Sequence, residues 1–252
     1  MRRIIAFVLG VLLVACLVAL GQDEPIDTEL LSALDDTRFF DAEVTTLRVR
    51  IVSITPDEER DAEIRLLFSE IDGETVSRIE FLVPDELAGQ VYVNTPDGAF
   101  FYGPDLDFPI KTSTSTEVFG DSAVAQTSGI RFLDDYTVVE RRMMPDETGV
   151  ELLEVDLAAV DFGVAFQSVT VTVDPETLRP ISAILYALSG LPFYEVFYET
   201  YETREEEDTY VVTQRIVNLF LVGRQTISEI LEISDEPVAP ELFDPDLLGS
   251  AE

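Results

Sequence analysis

Apolar and polar residues alternate with period two along most of this chain, a pattern that builds sheet and that an amphipathic helix cannot reproduce. Ser168-Val169-Thr170-Val171-Thr172-Val173 alternates without interruption and stops at the turn signal Asp174-Pro175. Leu47, Val49 and Ile51 alternate with Arg48 and Arg50, so aliphatic chains take one face and guanidinium groups the other. Ile64, Leu66 and Phe68 run up to Asp72-Gly73, and Ile79, Phe81 and Val83 follow, which predicts a hairpin. Val91-Tyr92-Val93, Pro96-Asp97-Gly98 and Phe100-Phe101-Tyr102 predict a second. Further strands are expected at residues 137–143, 150–157, 181–187, 193–202, 210–221 and 224–233. About ten or eleven strands with short connections make one antiparallel meander.

Helical signals are few. Asp27 can cap a segment that ends near Asp36 and carries Leu30, Leu31 and Leu34 on one face. A second short helix is expected between Asp121 and Gly129, with Val124 on its buried side, and a terminal turn at residues 240–248 carries Leu242, Phe243, Leu247 and Leu248.

Several strands are apolar on both faces. Tyr194, Val196 and Tyr198 line one side of their strand, and Phe193, Phe197 and Tyr201 the other. Met143 and Met144 are adjacent and so point to opposite faces. A sheet with one face in water would alternate more cleanly, so something covers both. Two arrangements satisfy this: a two-sheet sandwich, or one strongly curved sheet whose hollow face stays apolar and accepts a lipid or acyl chain. In the second case Phe100, Phe101, Met143, Met144, Phe193, Tyr194, Phe197 and Tyr198 are the candidate cavity residues, each of which could equally be ordinary core.

The composition removes many alternatives. The chain has no histidine, so it builds no Ser-His-Asp triad, no Cys-His pair and no histidine zinc site. Catalysis would rest on carboxylates such as Asp105 and Asp107, Asp134 and Asp135, or Asp244 and Asp246, but among 50 acidic residues such doublets arise by chance. No metal, cofactor or enzymatic activity is expected. A net charge of −34 argues against nucleic acid or an anionic membrane as partner, and a monomer is expected. The run Glu205-Glu206-Glu207-Asp208 reads as a solvated turn.

Residues 1–21 read as an export signal, with Arg2 and Arg3 before an apolar run and Ala19-Leu20-Gly21 as a cleavage site. Cleavage after Gly21 is the leading expectation. Leu13-Val14-Ala15-Cys16 also matches a lipobox that would acylate Cys16, and a retained anchor is the third option. Residues 22–252 contain no Gly/Ser/Pro-rich linker or repeat, so one domain follows, in the periplasm or cell envelope.

Short motifs add a resemblance. Val91-Tyr92-Val93-Asn94-Thr95-Pro96-Asp97-Gly98, Phe119-Gly120-Asp121-Ser122-Ala123-Val124 and Asp134-Asp135-Tyr136 occur in this order. Val171-Thr172-Val173-Asp174-Pro175-Glu176-Thr177-Leu178-Arg179-Pro180 follows, and Glu241-Leu242-Phe243-Asp244-Pro245-Asp246-Leu247-Leu248 closes the set. Together they resemble the outer-membrane lipoprotein-sorting (LolA-like) family. The resemblance implies an incomplete antiparallel barrel with helices as a lid over a hydrophobic cavity, and an acylated lipoprotein or lipid as cargo. It also implies membrane-bound donor and acceptor proteins. An arginine that ties sheet to lid is part of the family pattern, but the sequence does not locate it here. An envelope sensor that binds a partner protein with the same fold is the alternative.

Overall fold

The structure is a computed structural model and describes residues 24–38, 44–123, 130–204 and 209–249. Helix α1 (Glu24–Asp36) comes first. Strands β1 (Val44–Ile54), β2 (Glu59–Ile71), β3 (Glu74–Val83), β4 (Val91–Thr95), β5 (Gly98–Tyr102) and β6 (Ile110–Thr112) form the N-terminal half. A two-stranded ribbon, β7 (Glu117–Phe119) and β8 (Ser122–Ala123), and a one-turn helix, α2 (Phe132–Asp135), link the halves. The C-terminal half holds β9 (Tyr136–Pro145), β10 (Glu151–Ala159), β11 (Ser168–Val173), β12 (Pro180–Tyr186), β13 (Pro192–Thr203), β14 (Thr209–Asn218) and β15 (Gln225–Ser234). Two 3-10 turns, Pro240–Phe243 and Pro245–Leu247, end the described chain.

Thirteen strands form one sheet in the order β6-β5-β4-β3-β2-β1-β15-β14-β13-β12-β11-β10-β9. Every neighbouring pair is antiparallel. The sheet curves but does not close, since β6 and β9 are its edges. Register shifts in β1–β15, β2–β3, β9–β10, β11–β12, β12–β13 and β13–β14 place an irregularity in half of the ladders, and bulges increase local twist and bend. The turn at Asp72-Gly73 forms as its sequence predicts, with positive φ at both residues (55° and 82°).

What covers the two faces differs from half to half. On the inner face α1 lays Leu30, Leu31 and Leu34 over the C-terminal half, against Val155, Val171, Leu185, Val196 and Tyr198. Phe132 and Tyr136 join that cluster at the α2–β9 junction. The inner face of the N-terminal half is a separate cluster of Leu47, Val49, Ile51, Ile64, Leu66, Phe68, Ile79, Phe81 and Tyr92, roofed by Phe119 of β7. The outer face of the N-terminal half is covered by the end of the chain. There Phe243 packs on Leu67 and Val76, and Leu248 on Val91 and Val93. On the outer face of the C-terminal half arginine does the covering, with the Arg215 guanidinium 4.2 Å from the Phe197 ring centroid.

Of the short helix expected between Asp121 and Gly129, Ser122 and Ala123 are instead strand β8, and residues 124–129 with Val124 lie outside the described part, as do residues 1–21 with Cys16 and the acidic run 205–208. Strand β14 stops at Asn218 rather than continuing through 221, because Asn218 Oδ1 accepts the backbone N–H groups of Phe220 and Leu221 and turns the chain.

Candidate functional site

The two inner-face clusters do not merge. At the seam between β1, β15 and β14 the inward-facing residues turn short or polar: Ile51 faces Ser228, Ser228 faces Gln214, and Ser53 faces Thr226. Large side chains fill both wings, and a slot of about 80 Å³ remains between them. Leu47, Val49, Leu66 and Phe68 line one wall, Val211, Gln214, Ser228 and Ile230 the other, and Arg38 and Ser122 stand at its edges.

Polar contacts fix what surrounds the slot. At one end the ribbon β7–β8 is pinned to the sheet by Asp121, almost fully buried, whose carboxylate accepts from Asn218 Nδ2 at 2.7 Å. Arg224 reaches the same carboxylate at 3.3 Å, and the Asp121 N–H donates to Thr226 Oγ1 at 2.8 Å. Gly120 turns this corner with φ +60°, and a Cβ there would lie 2.5 Å from Thr226 Oγ1 and 2.7 Å from Ser53 Oγ. Only glycine lets the ribbon approach so closely. The Phe119-Gly120-Asp121 motif is therefore a clasp.

At the other wing α1 is held by its ends. Asp27 Oδ1 lies 3.2 Å from Arg141 Nη2. Arg141 sits opposite Val155, on the inner side of β9, so it is an arginine tying sheet to covering helix, which sequence spacing could not single out. Asp35 accepts the N–H groups of Phe132 (2.8 Å) and Leu133 (2.9 Å), and so caps α2 from α1. Burial pushes the Asp35 carboxyl up to about 6 despite those donors and the nearby Arg38 and Arg131 charges. Thr37 O accepts from Val211 N at 2.9 Å, and Arg38 Nη1 donates to Ile130 O at 3.1 Å.

The eight aromatic and methionine residues expected to line a cavity divide between the faces. Tyr194 and Tyr198 are buried on the inner face, and burial raises the pKa of both phenols. Phe101 is inner too, 4.8 Å from the Tyr92 ring. Phe100 packs outward with the Leu248 cluster beneath Lys111. Phe197 is outer, and Phe193 contacts Phe220 at 5.4 Å. Met143 and Met144 lie half exposed on the edge strand β9, Met143 paired with Leu153 and Met144 with Leu152. None of the eight lines the slot. The residues that do are mostly aliphatic, joined by Phe68, Gln214 and Ser228, and sit within ordinary alternating strands, so the sequence carries no mark that separates them.

Among the aspartate doublets, Asp134 pairs with Arg131 at 2.8 Å, and Asp244 accepts the Asp246 N–H at 2.9 Å as a helix cap. No cluster of three or more metal-ligating side chains occurs among the described residues.

The fold has solved relatives. A LolA superfamily protein from Nitrosomonas europaea is 20% identical with a TM-score of 0.78, over 88% of this chain and 99% of that one. A putative outer membrane lipoprotein-sorting protein domain from Vibrio parahaemolyticus is 15% identical with a TM-score of 0.74, over 89% and 98%. A DUF1329 family protein from Desulfovibrio piger is 13% identical with a TM-score of 0.75, over 89% and 98%. At these identities the likeness is one of fold. No curated protein matches the sequence. A family model described as "Uncharacterized protein" matches residues 73–250. The chain therefore belongs to that family, and its fold is LolA-like.

Proposed function

We propose that this protein is an exported carrier that takes up an acyl chain of a lipid or lipoprotein beneath α1 and moves it between membranes of the cell envelope. One observation supports the reading most: a wing of the apolar inner face is roofed by a single helix, held by three leucines and a few end contacts. A second sheet would be permanent. A helix can lift.

The slot, about 80 Å³, is well below the roughly 300 Å³ at which small-molecule sites begin. Loading therefore requires α1 to yield its place. Burying three leucine side chains is worth roughly 5–9 kcal/mol and each methylene about 0.8 kcal/mol, so about ten methylenes offset the loss. The near balance suits a carrier, because cargo held so weakly passes to an acceptor. Thr45 and Ser77 flank Phe68 across the strands, and their buried hydroxyls have no hydrogen-bond partner among the described residues. An ester carbonyl of the guest would satisfy them, which favours an acyl ester over plain hydrocarbon.

Native mass spectrometry of the purified protein, with solvent extraction, tests this. A lipid adduct, or uptake of an acylated peptide by the stripped protein, is the expected result. Protein that carries no lipid, takes up none, and captures another envelope protein would replace the carrier reading with that of a sensor.

A further inference from the structure

Two loops at one end of the sheet present apolar side chains straight to solvent. The β12–β13 loop, residues 187–191, exposes Leu188 (87%) and half-exposes Leu191. The β14–β15 loop, residues 219–224, exposes Val222 (89%) and half-exposes Phe220 and Leu221. Antiparallel pairing puts both loops at the same end, and the Phe193–Phe220 ring contact joins them. Soluble surfaces scatter such residues singly; a contiguous group signals a contact surface.

These loops are held rather than loose. Ala187 N donates to Leu191 O at 2.9 Å, and Gly190 N to Ala187 O at 2.8 Å. Leu219 N donates to Phe193 O at 3.0 Å, which ties one loop to the base of the other. The Asn218 carboxamide accepts Phe220 N and Leu221 N while its Nδ2 is anchored on buried Asp121. A polar scaffold inside the protein thus props up an apolar tip outside it.

The exposed tips also lack charge, since Arg224 at the end of its loop is drawn to buried Asp121. Residues 187–194 and 216–223 contain no Asp, Glu, Lys or Arg, in a chain of which 26% is charged. We propose that the two loops form an apolar foot that enters the interface of an uncharged phospholipid bilayer. A protein partner is recognised through a polar rim and hydrogen bonds around an apolar centre. Here the two tips offer apolar area, flanked by the acidic β1–β2 turn with Asp57 and Glu58, whose Pro56 abuts Gly223, and protruding apolar side chains are what a bilayer interface rewards. The net charge of −34 turns the foot away from anionic lipid and toward neutral lipid. The foot acts whether or not the slot is loaded, so this inference and the carrier reading can fail separately.

The chain contains no tryptophan, so a single introduced one reports cleanly. Val222→Trp, at the tip, and Thr148→Trp, in the β9–β10 turn at the opposite end, are compared in the full chain with phosphatidylcholine vesicles containing brominated lipid. Emission from V222W should shift to the blue and fall about twofold or more, while T148W stays unchanged. Adding Leu188→Ser and Leu191→Ser to V222W should weaken vesicle binding about tenfold or more at unchanged circular dichroism. Four results would overturn the proposal: no quenching of V222W, equal quenching of T148W, an unchanged affinity in the serine variant, or binding that requires anionic lipid. A blue shift of V222W without vesicles that grows with protein concentration would assign the foot to a second copy of the chain instead.

Discussion

The Asp121 carboxylate accepts a hydrogen bond from Asn218 Nδ2 at 2.7 Å, joining residues that lie 97 positions apart in the chain. Asp121 sits in the turn of the ribbon that roofs one wing, and Asn218 ends the strand next to β15. The pair therefore connects the cover of the inner face to the shape of the exposed β14–β15 loop. Asp121→Ala strands Asn218 and leaves Arg224 without its acceptor, so it should cost about 3 kcal/mol or more. Asn218→Ala should cost a similar amount, and the double variant much less than the two together. Urea denaturation of the three variants measures the coupling.

Asp35 makes stability depend on pH. Its folded pKa, about 6, lies above the ordinary value of 3.8, so between these values the folded state holds the proton more tightly than the unfolded chain does. Stability from this group is therefore full on the acid side and is lost as pH rises toward 6, by about 3 kcal/mol at most. Asp35→Asn keeps an acceptor for the α2 N–H groups and removes the titration. Urea midpoints of parent and variant, taken from about pH 4 to about pH 7, should converge at low pH, with the variant ahead near neutrality.

The Asp27–Arg141 pair, partly buried, holds the start of α1. Asp27→Asn or Arg141→Gln should lower stability by about 1 kcal/mol or less, the ordinary range for such a pair. Under the carrier reading the same variants should load an acyl probe several-fold faster, because the helix lifts more readily. Stopped-flow fluorescence with a labelled acyl chain separates the two effects.

Filling the slot should block it. Ser228 faces Ile51 and Gln214, and Ser228→Leu would occupy most of the free volume. Stability should change by about 1 kcal/mol or less, since an apolar wall receives an apolar group. Under the carrier reading, binding of an acyl probe, measured by displacement of a fluorescent fatty acid, should fall about tenfold or more.

Much of the fold was readable because side-chain alternation survives wherever one face is buried. Val169, Val171 and Val173 point inward as their spacing predicts, and Leu30, Leu31 and Leu34 form the predicted helix face. The terminal turn at 240–248 also buries Phe243 and Leu248. Helix α2 was not legible, since its four residues carry no periodicity and its cap comes from Asp35, 97 positions earlier. The strand expected at 210–221 runs on through Leu219, Phe220 and Leu221 in the sequence pattern, and only the Asn218 side chain, turned on its own backbone, reveals that its last residues are a loop. The slot was hidden for a related reason. Aromatic-rich strands drew attention to Phe197 and Phe100, yet Arg215 and the end of the chain cover those on the far side. The hollow lies where Ser228 and Gln214 leave room.

The first and last strands of the sheet, β1 and β15, are neighbours at its centre. A chain made from its N-terminus thus presents its N-terminal strands long before the strand that completes their wall. The inner face is closed only when synthesis is nearly finished. Under the carrier reading any guest must board after that point, and an incomplete molecule, with β1 still a bare edge, is a target for chaperones and proteases rather than a working vessel.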